Sequence, residues 1–93
     1  MHDQIEELLG AKEPTLARME DTLTEGYAQA LALEAERWRL ERRIGEVARE
    51  GSTDLEELRT LGTRLSDADG ELATLRTLLG RLHERARMLR KAS

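Results

Sequence analysis

The chain has 93 residues, of which 39% are apolar and 37% charged, with two aromatics (Tyr27 and Trp38), no Phe, one Pro and no Cys. So short a chain without large rings cannot fill the broad core of a compact α/β enzyme. The absence of Cys excludes a disulfide framework, a thiolate metal site and a cysteine nucleophile. The remainder is rich in Leu, Ala, Glu and Arg, the composition of long helices. A net charge of −4 gives no general attraction to nucleic acid, so direct DNA binding is not expected. Thirteen Arg against two Lys suits a GC-rich genome.

Met1–Leu9 carries Asp3, Glu6 and Glu7 where a secretory leader has bases, and no apolar run approaches the ~20 residues of a membrane span. The expectation is a cytoplasmic bacterial protein without a membrane segment. Residues 1–13 are set apart as a short N-terminal segment. Within it, residues 3–9 either form a separate helix using Ile5, Leu8 and Leu9 or order only on binding a partner.

From 14 to 50 the chain reads as one helix, with Pro14 at its first position, where the missing N–H is no loss. Apolar residues recur in steps of three and four at 16, 19, 23, 26, 30, 33, 37, 40, 44 and 47, broken only by Gly26 and Arg37. Arg37 can reach water along its alkyl stem, and Gly26 permits close approach or a bend. Residues 51–53 form the turn: Gly51 accepts positive φ after a helix end, and Thr53-Asp54-Leu55-Glu56 matches a capping box.

The second helix is expected over 54–91. Positions 58, 61, 65, 68, 72, 75, 79, 82, 86 and 89 are all Leu or Ala, the seam of a coiled coil. Two arms of nearly equal length and a tight turn predict an all-α fold, an antiparallel two-helix coiled-coil hairpin over 14–93. Acids dominate 1–25 and bases 81–91 (Arg81, Arg85, Arg87, Arg90, Lys91), so the antiparallel arrangement sets opposite charges side by side.

A hairpin buries one stripe and leaves others wet. Tyr27, Leu31 and Trp38 lie off the seam of the first helix, and such a row is suited to a partner. Alternatively, the rings drape over the seam and widen it. A homodimer forming a four-helix bundle is the expected way to cover the row. On the second helix, Ser66, Ala73 and Gly80 recur every seven residues near Gly62 and Gly70, either to admit another backbone or ligand or as unconstrained surface.

Histidine occurs only at positions 2 and 83, without metal-ligand spacing, and no phosphate-loop or nucleophile-elbow string is present. No catalytic residue and no metal site are assigned, and enzyme activity is not expected.

Asp54-Leu-Glu-Glu-Leu-Arg-Thr-Leu61, followed by Asp69 through Glu84, resembles the second helix of RsiG-type anti-sigma factors of actinobacteria. That family consists of two-helix hairpins that hold a sporulation sigma factor and bind cyclic-di-GMP through E-x3-S-x2-R-x3-Q-x3-D. The matching register is Asp69, Ala73, Arg76, Gly80 and Glu84, with Ala73 and Gly80 replacing the Ser and Gln. The resemblance implies an anti-sigma-like transcription regulator with a sigma-factor partner, and cyclic-di-GMP as a regulatory ligand at Asp69, Arg76 and Glu84. The alternative is a structural or adaptor homodimeric coiled coil without a nucleotide.

Overall fold

The computed structural model describes residues 1–11, 15–51 and 54–92, and within them the chain is all-helical, without a strand. Three helices follow one another: α1 (His2–Gly10), α2 (Leu16–Arg49) and α3 (Leu55–Ala92). The molecule measures 61 × 17 × 14 Å. Its length is close to the ~57 Å expected of a 38-residue helix at 1.5 Å per residue.

α2 and α3 run in opposite directions and pack along their length, and a ladder of ion pairs marks their register. Glu20 meets Arg90 at 3.2 Å, Glu34 meets Arg76, Arg37 meets Asp69 at 2.9 Å, and Arg43 meets Glu57 at 2.8 Å. The first of these pairs carries out the expected matching of the acidic start to the basic end. All are solvent-exposed, and such pairs contribute about 0–1 kcal/mol each, so they align the helices more than they hold them.

The holding force is the seam. Every expected seam position in both helices is buried or half-buried, including Gly26 and Arg37. At Gly26 a Cβ would collide with the Leu79 side chain, so the missing side chain is what lets Leu79 reach the α2 backbone. Arg37 keeps its side chain 41% exposed and turns its guanidinium to Asp69 and Glu41. The charge divides the interior into two clusters. One runs from Leu33 and Leu72 towards the chain termini, and the other joins Leu40, Val47 and Leu61 beside the turn.

The expected helix boundaries shift slightly. α2 begins at Leu16 rather than residue 14, because the Thr15 hydroxyl accepts from the Arg18 N–H at 3.2 Å. The α3 start is capped by Asp54, whose carboxylate accepts from the Glu57 N–H at 3.0 Å. Pro14 and Thr53, on which the expected helix start and capping box rested, lie outside the described residues. Gly51 does adopt positive φ, +67°, and its N–H reaches the Ala48 carbonyl at 3.4 Å.

The larger correction is the third helix. Of the two readings of residues 3–9, a separate helix is the one found, and it docks on the long pair. Nine residues are too few to hold a helix in water, so α1 depends on what it packs against. Ile5 and Leu8, three residues apart on one face, are buried in the same cluster as Leu72, Leu75, Leu78 and Leu82. His2 lies beside Gly70 and Glu71, and the other end of α1 lies beside Arg85, so α1 runs parallel to α3 and antiparallel to α2. α1 has no base in its last turn. Arg85 of α3 supplies one, donating to the carbonyls of Leu9 at 2.5 Å and Ala11 at 2.9 Å.

Candidate docking face and ligand site

A pair of helices packed side by side has a groove on each flank. α1 fills one. On the other flank α2 presents Tyr27, Leu31 and Trp38, which are 47%, 66% and 58% exposed. Tyr27 borders the seam residues Ala30 and Leu79, whereas Leu31 and Trp38 stand farther out in water. Arg42, one turn beyond Trp38, stacks its guanidinium over the indole at 4.8 Å from the ring centre.

Beside Tyr27 and Leu31 lies an open groove of about 420 Å³. Ala30, Leu79 and Gly80 complete its apolar lining, and Glu34 and Arg76 bridge it from opposite helices. Gly80 has no neighbour within 4 Å of where a Cβ would stand, which keeps the α3 side low. The groove thus joins two residues expected to meet a partner, Tyr27 and Leu31, with one expected to meet a ligand, Arg76. Trp38 lies farther along the same helix and does not line it.

The candidate ligand residues are not brought together. Asp69 and Arg76 are seven residues apart on α3, and Glu84 is a further eight, so the set spans about 22 Å along the axis. Asp69 binds Arg37, Arg76 binds Glu34, and Glu84 is forked by Arg87 through bonds of 3.0 and 2.6 Å. The Arg87 hydrogen bonds hold the Glu84 carboxyl below the usual carboxylate range. Arg43 is correspondingly raised by its hydrogen bonds to Glu57 and then by that carboxylate's charge. A guanine edge needs an acid and an arginine converging on one plane, and here each is directed to a different neighbour.

The small residues of α3 remain bare: a Cβ at Gly62, Gly70 or Gly80 would meet nothing within 4 Å, and Ser66 and Ala73 are exposed. Ser66 and Gly70, with His2, Asp67, Glu71 and Thr74, line a shallow depression of about 500 Å³ at the start of α1. Among the described residues no group of three or more His, Asp or Glu is placed to hold a metal, and no helix is long and apolar enough to cross a membrane.

Glu34, the partner of Arg76, and Arg85, the clamp on α1, do not stand out in the seam pattern. Glu34 carries no mark distinguishing it from other surface acids. For Arg85 a signal existed in the doublet Leu78-Leu79, which widens the α3 stripe beyond one partner helix, together with the Ile5, Leu8 spacing in α1. No family model matches the sequence, and no curated protein or solved structure matches it either.

Proposed function

We propose that this protein is a non-enzymatic helical interaction module that docks another protein on the outer face of α2. The observation that carries this reading is the exposure of Tyr27, Leu31 and Trp38 on a flank of a helix pair whose opposite flank is partly covered by α1. Large apolar side chains held half to two-thirds in water on a rigid helix are the composition of a binding hot spot. The more specific version, drawn from the resemblance of α3, is an anti-sigma-like regulator in the cytoplasm whose partner is a sigma factor. A cyclic-di-GMP switch at Asp69, Arg76 and Glu84 has less support, since all three would have to leave their present partners.

Immunoprecipitation from the native host tests the reading, with the wild type compared against Leu31→Glu. Recovery of a sigma factor by the wild type alone is the expected result. An identical partner set from both proteins would overturn the docking face, and the absence of a sigma factor from both would overturn the anti-sigma version. Titration calorimetry with cyclic-di-GMP, repeated with Arg76→Ala, tests the nucleotide separately.

A further inference from the structure

The outer face of α2 is symmetric about Leu31 in a way that exposure alone does not require. Thr24, Tyr27, Ala28, Leu31, Ala35 and Trp38 share one side of the helix, all are exposed and none is charged. One further turn along on either side the stripe ends in an exposed charge, Glu20 before it and Arg42 after it. Each of these lies eleven residues from Leu31. Moving inwards, Thr24 and Trp38 are seven residues from it, and Tyr27 and Ala35 are four.

We propose that a second copy of the chain docks on this face, its α2 antiparallel to the first and Leu31 on the two-fold axis. This rests on reading the α2 face as a docking surface and names its occupant. In that register each large side chain meets a small one: Trp38 lies over Thr24 of the second copy and Tyr27 over its Ala35. Glu20 and Arg42 meet across both ends, so one helix supplies the acid and the base that the other requires. A parallel arrangement would instead set Trp38 against Trp38, Arg42 against Arg42 and Glu20 against Glu20. Stacking of Arg42 on the Trp38 ring already holds that guanidinium at the end of the stripe. Glu20 keeps its side chain 51% exposed while paired with Arg90, leaving it accessible to a second cation. Ala28 lies opposite Glu34 of the second copy, whose carboxylate is already turned to Arg76 of its own chain, and the assembly is a bundle built on two long helix pairs.

Light scattering on the purified full chain across a concentration series should give a dimer. Leu31→Glu should be monomeric with an unchanged helical spectrum. Glu20→Arg and Arg42→Glu should each weaken the dimer by roughly 10-fold, as an exposed pair counted twice and turned repulsive would. The double exchange E20R/R42E should restore it, although the Glu20–Arg90 pair stays broken, so the recovery reports the interface and not the fold. Because the chain has no cysteine, Leu31→Cys should oxidise to a linked dimer, whereas Trp38→Cys should link only when combined with Thr24→Cys. A monomer at every concentration would overturn the proposal while leaving a heterologous partner on this face intact. A dimer unaffected by Leu31→Glu, or equal linking by Leu31→Cys and Trp38→Cys alone, would overturn the face or the register.

Discussion

The two ends of the molecule are built on the same apolar seam, yet they are not equally dry. Where α1 joins the long pair, Met19, Leu75, Leu82 and Ala86 are fully buried. Beside the turn, where α2 and α3 pair without α1, Val47 is fully buried, but Leu40 and Leu61 retain 9% and 8% exposure and Ile44, Leu58 and Leu65 are only half-buried. Two helices touch along a line, and a side chain on that line still sees water from both flanks. A third helix laid in one groove closes that flank. Arg37 marks the border, because its charge keeps the two apolar clusters from joining.

The strongest way to break this contrast is truncation within the seam. Leu75→Ala should destabilise the protein by about 3–5 kcal/mol, towards the upper part of the range for buried leucines. Leu61→Ala should cost less, about 2 kcal/mol, because water already reaches the site and fills the space left. Urea unfolding of both variants checks the ranking, and equal losses would mean that α1 adds nothing to the core.

The next effect separates α1 from the pair it rests on. Arg85→Ala removes two charge-assisted hydrogen bonds to the Leu9 and Ala11 carbonyls, a loss of about 2 kcal/mol. Hydrogen exchange should accelerate across α1 while α2 and α3 beside the turn keep their protection. Acceleration of the turn end to the same degree would show that the two clusters unfold as one unit.

Arg37→Leu should do the opposite and merge the clusters. It adds apolar contact at a half-buried seam position and gives up exposed pairs to Asp69 and Glu41, for a net gain of about 1 kcal/mol. A rise in thermal midpoint with a sharper transition is the expected reading.

The smallest effect is electrostatic and lies at the three-helix end. Arg87 lowers the Glu84 pKa in the folded protein, so the pair contributes stability above the ordinary carboxylate range and loses it as pH falls through the lowered folded value. Arg87→Gln should move the Glu84 titration, followed by carboxyl NMR, back up towards the usual carboxylate pKa, with little change in stability at neutral pH. No shift would mean that the fork is not held in solution.

Much of the fold is legible in the residues. The period of three and four runs over ten positions in each long helix, all apolar in α3 and apolar except for Gly26 and Arg37 in α2, and it is the same information as the buried seam, since a helix can bury only the side its periodicity makes apolar. Gly51 announces the turn because positive φ is accessible to it without strain. Tyr27, Leu31 and Trp38 are likewise legible as off-seam, and the structure leaves them exposed. The candidate ligand set is harder to read. Asp69, Arg76 and Glu84 form a pattern along one helix, but whether such groups are available depends on what the neighbouring turns set against them, and Arg37, Glu34 and Arg87 already do so.

By itself, then, the sequence determined that the protein is helical, which side of each long helix faces inward, and where the chain reverses. These follow from local periodicity and backbone preference, which each segment carries wherever it lies. Tertiary structure alone decided that α1 docks and closes one flank, that Arg85 caps a helix 74 residues distant, and that the other flank keeps its apolar row in water. Those outcomes depend on the shape of the groove between two helices, which exists only once both have packed.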